Sequence, residues 1–241
     1  MIATIPGMDA LKAPVEFLLT LVFYGLQHVP VLGALGFYGL SVVLVAAALK
    51  IALMPLGIWQ ARLSASAAAD AARLKPALDK LKRRSAKDPA RVRRETIELH
   101  RKEGVSPLRP LQAMLPGLAQ VPVFLALYQA VTDTVLVATL HAVPSLLWIP
   151  NLMATAALAH PVGWILPLVA AASTFAAARY GRPRHADAGS TKLPGVPAGA
   201  MALVSTAVTG FFALRVAQVL VLLWVVNNLF TLLQHGITRL F

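Results

Sequence analysis

Apolar stretches of roughly membrane-spanning length alternate with polar segments along this chain. A helix needs about 20 apolar residues to cross the hydrocarbon core of a bilayer. Five stretches reach or approach that length, and they cover residues 37–59, 110–137, 161–179, 196–214 and 217–235. The pattern therefore predicts an all-α polytopic membrane protein with five transmembrane helices.

The segment ahead of the first span, residues 1–36, has a different pattern. In residues 14–28 one helical face is polar, because four side chains recur at spacings of three or four: Glu16, Thr20, Tyr24 and Gln27. Pro14 suits the first turn of such a helix. Only about a dozen apolar residues are continuous, which is short for a span. We therefore expect a helix that lies in the outer membrane interface, with a true span as the less favoured alternative.

Positive charge is concentrated in one stretch of the chain. Residues 58–110 hold 14 of the 22 Lys and Arg residues and 6 of the 10 acidic residues, which gives this stretch a net charge of +8. The positive-inside rule places such a block in the cytoplasm, together with the basic loop 180–195 and the tail 236–241. Residues 138–160 contain no Lys or Arg and suit an outer loop. The N-terminus is then outside and the C-terminus inside, and Arg215 is the charge that does not fit this arrangement.

The sequence lacks cysteine and lacks a recognisable targeting segment, and both absences bear on the chemistry and the cellular location. The sequence has no cysteine, which excludes a disulfide framework, a thiol nucleophile and a cysteine-ligated metal. The N-terminus resembles neither a removable signal peptide nor an Arg-rich organelle import sequence, so we expect a bacterial plasma (inner) membrane.

The basic stretch, residues 60–109, is typical of two helices joined by a turn. Apolar seams at spacings of three and four follow each helix: Leu74, Leu78 and Leu81, then Val92, Thr96 and Leu99. Asp88 is a suitable N-cap for the second helix, Pro89 suits its first position and Gly104 suits its end. The pattern predicts an antiparallel helical hairpin that projects into the cytoplasm.

A single cation, Lys50, lies within the apolar residues 37–57. By helical rise it is about 20 Å from Phe37 and about 15 Å from Gln60, so it lies well inside the first span. A lysine there costs ~2.5–3.5 kcal/mol unless water or a partner surrounds the ammonium. Lys50 is therefore the first candidate for a functional site, and snorkelling to the inner interface is the alternative. Pro55 removes a helical hydrogen bond and is expected to kink the inner end of this span.

Several sequence elements occur in an order that resembles the YidC membrane protein insertases, a family that includes mitochondrial and chloroplast members. QVPVFLALY at residues 120–128 is the most diagnostic, and it follows LKPALDKLKRR in the basic stretch. LLWIPNL, GWILPL and LLWVVNNLFTLLQ come after it, at residues 146–152, 163–168 and 222–234. The resemblance covers nearly the whole chain, from about residue 14 to residue 234.

Three positions depart from the usual pattern of that family. Lys50 stands where an Arg is usual, Ala217-Gln218-Val219 where a Pro-Ala-Gly turn enters the last helix, and Leu223 where a Tyr precedes the Trp. Lysine keeps the positive charge but not the planar donor fork of arginine. We also find neither the large outer domain of Gram-negative members nor a long basic C-terminal tail, so a short form of the family is expected.

The resemblance implies five helices around a hydrophilic groove that opens to the cytoplasm and to lipid. It implies an insertase and chaperone that moves short hydrophilic segments of nascent membrane proteins across the bilayer and releases their helices into lipid. Within this groove Lys50 would attract acidic or polar segments. The other groove candidates are Gln112, Gln120, Trp224, Asn227 and Asn228. For each amide an interhelical hydrogen bond is the alternative, and for the Trp it is core packing.

The basic hairpin is a candidate surface for partners, through Lys80, Lys82, Arg83, Arg84, Arg91, Arg93 and Arg94. The candidate partners are signal recognition machinery, the Sec translocon, the ribosome and anionic lipid headgroups. DNA is not expected among them. The alternative is a solvated face without a partner.

Two rival classes predict features that this sequence lacks. A small multi-pass transporter or channel also places a charge in a wet cavity, but it predicts paired intramembrane charges or inverted repeats. An intramembrane enzyme is disfavoured because the six histidines have no metal-binding spacing and neither HExxH nor GxSxG occurs. We therefore expect no catalytic residue, no metal and no cofactor.

Overall fold

The computed structural model describes residues 9–84, 88–106, 108–156, 161–180 and 198–240. The α-helices of these ranges are α1 (Asp9–Gln27), α2 (Phe37–Ala52), α3 (Met54–Arg84), α4 (Pro89–Lys102), α5 (Arg109–Val131), α6 (Thr134–Thr139), α7 (Ile165–Tyr180), α8 (Ala198–Arg215) and α9 (Gln218–Leu240). Short 3-10 helices cover Pro30–Leu35 and Pro161–Trp164. The prediction of an all-α protein is confirmed for this part of the chain.

By length and composition, one helix in the described ranges can cross a membrane, Val162–Arg179, with a mean hydropathy of 1.4. A second qualifies if Phe37–Ala52 and Met54–Leu81 are counted as one broken span. Shorter apolar helices cover Leu118–Val131, Ala202–Arg215 and Gln218–Gln234. Five transmembrane helices therefore remain a prediction. The loop expected at residues 180–195 lies, apart from its first residue, outside the described residues.

The chain divides into two compact units. The first contains α1, α2, α6, α7, α9, nearly all of α8, and α5 from Gln120 onward. The second contains α4, nearly all of α3, and α5 up to Ala119. The main cluster of buried apolar side chains lies in the first unit.

Helix α1 begins earlier than the sequence analysis predicted. It starts at Asp9 rather than at Pro14, so the proline lies inside the helix and not in its first turn. The earlier start brings Lys12 into the helix, where its ammonium lies 2.5 Å from the Asp133 carboxylate. One face of α1 buries three apolar side chains at spacings of four, Val15, Leu19 and Phe23. This face packs in the first unit, where α1 contacts α2. The location of α1 in the membrane interface remains a prediction.

A break at Leu53 separates α2 from α3. Pro55 follows the break and has no N–H to donate to the carbonyl of Ile51, and in a continuous helix its ring would clash with that carbonyl. The kink predicted at this end of the first span is therefore a full break. Helix α3 then continues to Arg84, so no helix end marks the boundary expected at residue 59.

Helix α4 in the second unit begins and ends at the predicted signals. The Asp88 carboxylate accepts a hydrogen bond from the backbone N–H of Arg91 at 3.0 Å, and Pro89 is the first residue of the helix. Gly104 follows the helix end with a left-handed φ of +67°, which glycine adopts without strain. The N-cap and the terminating glycine are confirmed. The predicted turn residues 85–87 lie outside the described residues.

The Arg73 side chain connects α3 to the end of α4. Its guanidinium donates to the Glu103 carbonyl oxygen at 3.0 Å and lies 3.3 Å from the Glu103 carboxylate. Of the predicted seam residues, Leu74 is buried, whereas Leu78, Leu81, Val92, Thr96 and Leu99 are half-buried. The contact between α3 and the end of α4 at this point is therefore an exposed ion pair next to a buried leucine.

In the first unit, the loop of residues 142–156 holds the starts of two helices, and we call it the clamp loop. The first N–H groups of a helix have no acceptor within the helix. Clamp-loop carbonyls accept three of them, from Gly39 to Ser145 (3.1 Å), Gln218 to Ala154 (2.9 Å) and Val219 to Leu152 (2.8 Å). The starts of α2 and α9 are therefore fixed by the same loop.

Close approach of α2 to the clamp loop requires glycine. A Cβ atom on Gly39 would lie 2.6 Å from the Ser145 carbonyl oxygen and would also collide with Leu146. Gly36, just before α2, has a φ of +87°, and a Cβ atom there would collide with the same carbonyl. Only glycine meets both requirements without strain.

A buried phenol connects the start of α2 to the end of α5. The Tyr38 hydroxyl donates to the carbonyl oxygen of Val131 at 2.7 Å, and the Tyr38 side chain is fully buried. Val131 is the last residue of α5, where helix carbonyls lack intrahelical donors. The bond therefore satisfies two polar groups that would both be costly to bury alone.

Gln218, the first residue of α9, is fully buried. Its backbone N–H binds the clamp loop, but neither its side-chain oxygen nor its nitrogen has a hydrogen-bond partner among the described residues. A buried amide in this state costs about 1–3 kcal/mol. The residue stands where the resembling family usually has the Ala of a Pro-Ala-Gly turn.

Replacing Gly39 by Ala is expected to destabilise the protein by about 1–3 kcal/mol, because the new methyl group pushes the clamp loop away from α2. Gly25→Ala is the matched control, since a Cβ atom on Gly25 meets nothing within 4 Å. Thermal unfolding in detergent micelles compares the two variants. Equal melting temperatures would contradict a close contact between α2 and the loop.

Replacing Gln218 by Met is expected to raise the melting temperature. The change removes two buried, unpaired polar groups while keeping the length of the side chain. Gln27→Met, at the exposed end of α1, is the control and should change little. A lower melting temperature for Gln218→Met would mean that the amide has a polar partner after all.

Candidate functional site

Lys50 lies in the last turn of α2, three residues before the break at Leu53. Its side chain is half-buried. Among the described residues its ammonium has neither a carboxylate within 4.0 Å nor a hydrogen-bond acceptor. Lys50 is thus a cation that is partly withdrawn from solvent without a counter-charge in the described chain.

Three of the predicted groove residues lie on α9, and two of them belong to a half-buried stripe. Trp224, Asn227 and Thr231 recur at spacings of three and four residues, and all three are half-buried. The Thr231 hydroxyl donates to the backbone carbonyl of Asn227 at 2.9 Å. We call these three residues the α9 stripe. Thr231 was not among the predicted groove residues, although its spacing of four residues from Asn227 is visible in the sequence.

Helices α2 and α9 are neighbours in the first unit. Val42 and Val45 of α2 belong to the same buried cluster as Val221 and Val225 of α9. Lys50 and the α9 stripe are therefore carried by two helices that pack against each other.

Asn228 differs from its neighbour Asn227 because its amide bonds to another helix. The side chain is 7% exposed, and its nitrogen donates to the hydroxyls of Ser173 and Thr174 at 3.1 and 2.9 Å. This is the interhelical hydrogen bond that the sequence analysis left open as an alternative. Ser173 and Thr174 were missed there, because nothing in the sequence indicates which helix the amide meets.

The two glutamine candidates lie in different units. Gln120 is half-buried and belongs to the first unit, whereas Gln112 is exposed and belongs to the second. Gln120 can therefore be grouped with Lys50 on structural grounds, and Gln112 remains a candidate from the sequence.

The basic residues of the second unit are open to solvent. Lys80, Arg83, Arg84, Arg91, Arg93 and Arg94 are all exposed, and the side chain of Lys82 lies outside the described part of the structure. Arg91 also forms an ion pair with Glu95 at 2.7 Å, one helical turn further along α4. These residues give the predicted partner surface a dense positive charge.

An ion cluster that the sequence analysis missed joins α1 to the turn before α6. The Lys12 ammonium lies 2.9 Å from Glu16 and 2.5 Å from Asp133. The other Asp133 oxygen caps α6, accepting from the backbone N–H groups of Val135 and Leu136 at 2.8 and 3.3 Å. A contact between residues 121 positions apart has no local sequence signal.

These contacts shift the pKa values of both partners. Lys12 precedes the first expected span, and Asp133 follows the helix α5, which ends at Val131 and not at the expected residue 137. Hydrogen bonds to Asp133 and then to Glu16 raise the pKa of Lys12 from 10.5 to about 12. The hydrogen bond from Lys12, aided by the two backbone donors, lowers the pKa of Asp133 from 3.8. Both groups are therefore charged throughout the neutral range.

Comparison with known proteins gives a consistent family. The sequence matches a family model described as "60Kd inner membrane protein" over residues 31–240. The membrane protein insertase YidC of Legionella pneumophila (strain Corby) is 33% identical over 205 residues, which are 85% of this chain and 33% of that protein. The protein of the same name from Polynucleobacter asymbioticus is 31% identical over 242 residues, 98% of this chain and 38% of the relative.

A third relative agrees with these two. The membrane protein insertase YidC of Pseudomonas entomophila is 33% identical over 219 residues, covering 90% of this chain and 34% of the relative. The chain thus spans about a third of the length of the curated relatives that it matches.

Replacing Lys12 by Met is expected to lower the free energy of unfolding at neutral pH by about 0.2–1 kcal/mol, the range for ion pairs open to solvent. The pKa of Asp133 is lower in the folded protein than its ordinary 3.8. The contribution is therefore present above about pH 4 and is lost as the pH falls through the folded value. On the alkaline side, the contribution is fully present below the ordinary pKa of 10.5 and is lost as the pH rises toward the folded pKa of about 12 for Lys12.

Thermal unfolding at about pH 7 and about pH 3 measures this dependence. The melting temperatures of the unsubstituted chain and Lys12→Met should differ at the higher pH and converge at the lower. Lys12→Arg, which keeps the charge, is the matched control. A difference of the same size at both pH values would mean that Lys12 stabilises α1 without Asp133.

Proposed function

Because this chain belongs to the family of the 60Kd inner membrane protein, we propose that it inserts newly made membrane proteins into the lipid bilayer. The relatives that it matches are named membrane protein insertase YidC. The observation that carries the proposal is Lys50, a half-buried cation without a described counter-charge on an apolar helix.

Hydration can account for a charged side chain within an apolar helix. A lysine inside a membrane-spanning helix costs ~2.5–3.5 kcal/mol when lipid surrounds it. A hydrated groove that opens toward the cytoplasm removes much of this cost, because the ammonium keeps part of its hydration shell. We propose that Lys50 lies in such a groove and that its charge is available to a substrate.

Insertion then needs no covalent chemistry. A nascent membrane protein places a short hydrophilic segment in the groove, where Lys50 attracts acidic or polar groups. The groove shortens the hydrocarbon path that this segment has to cross, so the barrier to translocation falls. The apolar helix of the client moves into the lipid, and burial of its apolar surface drives the process.

The structure favours particular residues beside Lys50 as the groove lining. Gln120, Trp224 and Asn227 are half-buried in the first unit, and the last two lie on a helix that packs against α2. Half-burial is what the wall of a hydrated groove requires, since a lipid-facing amide would lack partners. Gln112 and Asn228 belong to the wider set of candidates that the family resemblance implies.

The basic surface of the second unit supports a second part of the proposal. We place this unit in the cytoplasm by the positive-inside rule, which puts the N-terminus outside and the C-terminus inside. Its exposed Lys and Arg residues are suited to anionic lipid headgroups or to ribosomal RNA. Signal recognition machinery and the Sec translocon are the protein partners proposed for the same surface.

Depletion of the host insertase with complementation tests the role of Lys50. Lys50→Ala and Lys50→Glu are expected to lower insertion of a small client with an acidic tail about tenfold, because the cation that attracts the tail is lost. Lys50→Arg keeps the charge and should keep most of the activity. The measurement is protease protection of the client tail, with the amount of the variant in the membrane quantified alongside.

Lys75→Ala, an exposed lysine of α3 outside the proposed sites, is the matched control for loss of one positive charge. It should leave insertion unchanged. Equal insertion by Lys50→Ala, Lys50→Glu and the unsubstituted chain would place the site elsewhere.

A further inference from the structure

Helices α7 and α9 are joined by a buried polar network with a defined direction. The Ser173 hydroxyl donates to the Ala170 carbonyl of its own helix at 2.9 Å, which leaves its oxygen free to accept from Asn228. Thr174 accepts from the same Asn228 nitrogen at 2.9 Å. Ser173 and Asn228 are 9% and 7% exposed. The donor on α9 and its two acceptors on α7 thus satisfy each other away from solvent.

The rest of the interface does little to select one rotation of α9 about its axis. Residues 219–226 are all Val or Leu except Trp224, so every face of this part of the helix is apolar and similar in size. On the opposite side, residues 170–172 of α7 are alanines, which offer a smooth surface. Similar apolar side chains can pack in more than one arrangement at little cost in free energy.

The clamp loop holds the first turn of α9 through the backbone N–H groups of Gln218 and Val219. About 15 Å further along the helix, the hydrogen bonds from Asn228 to α7 are the directional contacts of this interface that distinguish one rotation from another.

We propose that Asn228 is a positioning residue that fixes the rotation of α9 against α7 and so determines which α9 side chains form the half-buried stripe. Successive residues of an α-helix are about 100° apart. A rotation by one residue position would carry Asn228 out of the α7 interface and would turn the α9 stripe away from its present orientation. The meaning of the stripe as a groove wall rests on the proposed function, whereas the positioning role does not.

Single thiols can report the orientation of α9, because the chain has no cysteine of its own. Asn227→Cys and Thr231→Cys place a thiol on the half-buried stripe, and Val226→Cys places one at a buried position. A charged, water-soluble maleimide is applied to membranes that contain each variant. The stripe thiols should react about tenfold faster than the thiol at 226, since reactivity follows exposure.

The labelling rates of the same three thiols are then measured in variants that lack the hydrogen bonds between Asn228 and α7. Asn228→Leu nearly keeps the side-chain volume and removes the donor. The double variant Ser173→Ala with Thr174→Val removes the two acceptors with a smaller change in side-chain shape. Either change should bring the labelling rates at the stripe and at 226 within about twofold of each other, because α9 beyond the turn held by the clamp loop no longer has a directional contact with α7. Exchanging the partners, Asn228→Ser with Ser173→Asn, rebuilds a bond from α7 to α9 and should restore the contrast.

Thr206→Val is the matched control, because among the residues that the structure describes the Thr206 hydroxyl bonds to the Ala202 carbonyl of its own helix and not to another helix. It should leave the contrast intact. An unchanged contrast in both network variants, each present at normal amounts, would overturn the proposal. So would a failure of the exchanged pair to differ from the single changes.

The test also separates this proposal from the proposed function. If neither stripe thiol reacts in the otherwise unsubstituted chain, the hydrated groove fails, and melting temperatures then decide the role of Asn228. Combining Asn228→Leu with the acceptor changes should lower the melting temperature no further than Asn228→Leu alone, because both remove the same bonds. Fully additive losses would show that Asn228 and its partners act independently.

Discussion

Backbone N–H groups at the start of a helix need acceptors, and in an apolar setting water does not supply them. In this protein the clamp loop supplies acceptors to α2 and α9 together. The geometry of everything further along these helices follows from that constraint. Lys50 is the fourteenth residue of α2 and Thr231 the fourteenth of α9, so each lies about 20 Å along its helix from its held end. Two helices that start at one loop and pack together thus bring the cation and the end of the α9 stripe to a similar distance from the clamp loop.

Outside the clamp loop, three side-chain contacts in the described part of the first unit connect elements that are far apart along the chain. Tyr38 relates the start of α2 to the end of α5, and Lys12 relates α1 to the turn at Asp133. Asn228 relates α9 to α7. Leucine, valine and alanine hold these helices together but distinguish poorly between similar arrangements. A buried hydrogen bond is directional, and any other arrangement leaves its polar groups without partners. A small number of such bonds is therefore enough to define one arrangement.

The elements that were predictable from the sequence depend on neighbouring residues. The Asp88 cap, the helix end at Gly104 and the break before Pro55 follow from backbone chemistry within one turn of a helix, and the structure contains all three. The predicted start of α1 was wrong, since the helix begins at Asp9 and includes Pro14. Lys12 in this added part of the helix contacts Asp133, a partner that no local sequence signal indicates. The partners of Asn228 could not be predicted, since a sequence indicates that a buried amide needs a partner but not which helix provides it.

In the candidate site, too, some features are visible in the local sequence and others depend on the folded structure. A cation within an apolar stretch is visible in the sequence, but its place in the last turn of a helix depends on where Pro55 ends that helix. This place matters to the chemistry. The carbonyl end of a helix carries a partial negative charge, which stabilises a nearby cation by typically 0.3–1 kcal/mol. An ammonium at that end gains from the helix dipole and can still donate to water. Because an ammonium is more strongly hydrated than a guanidinium, the lysine at position 50 depends more on water than the arginine usual in the resembling family would, and the proposed hydrated groove meets that requirement.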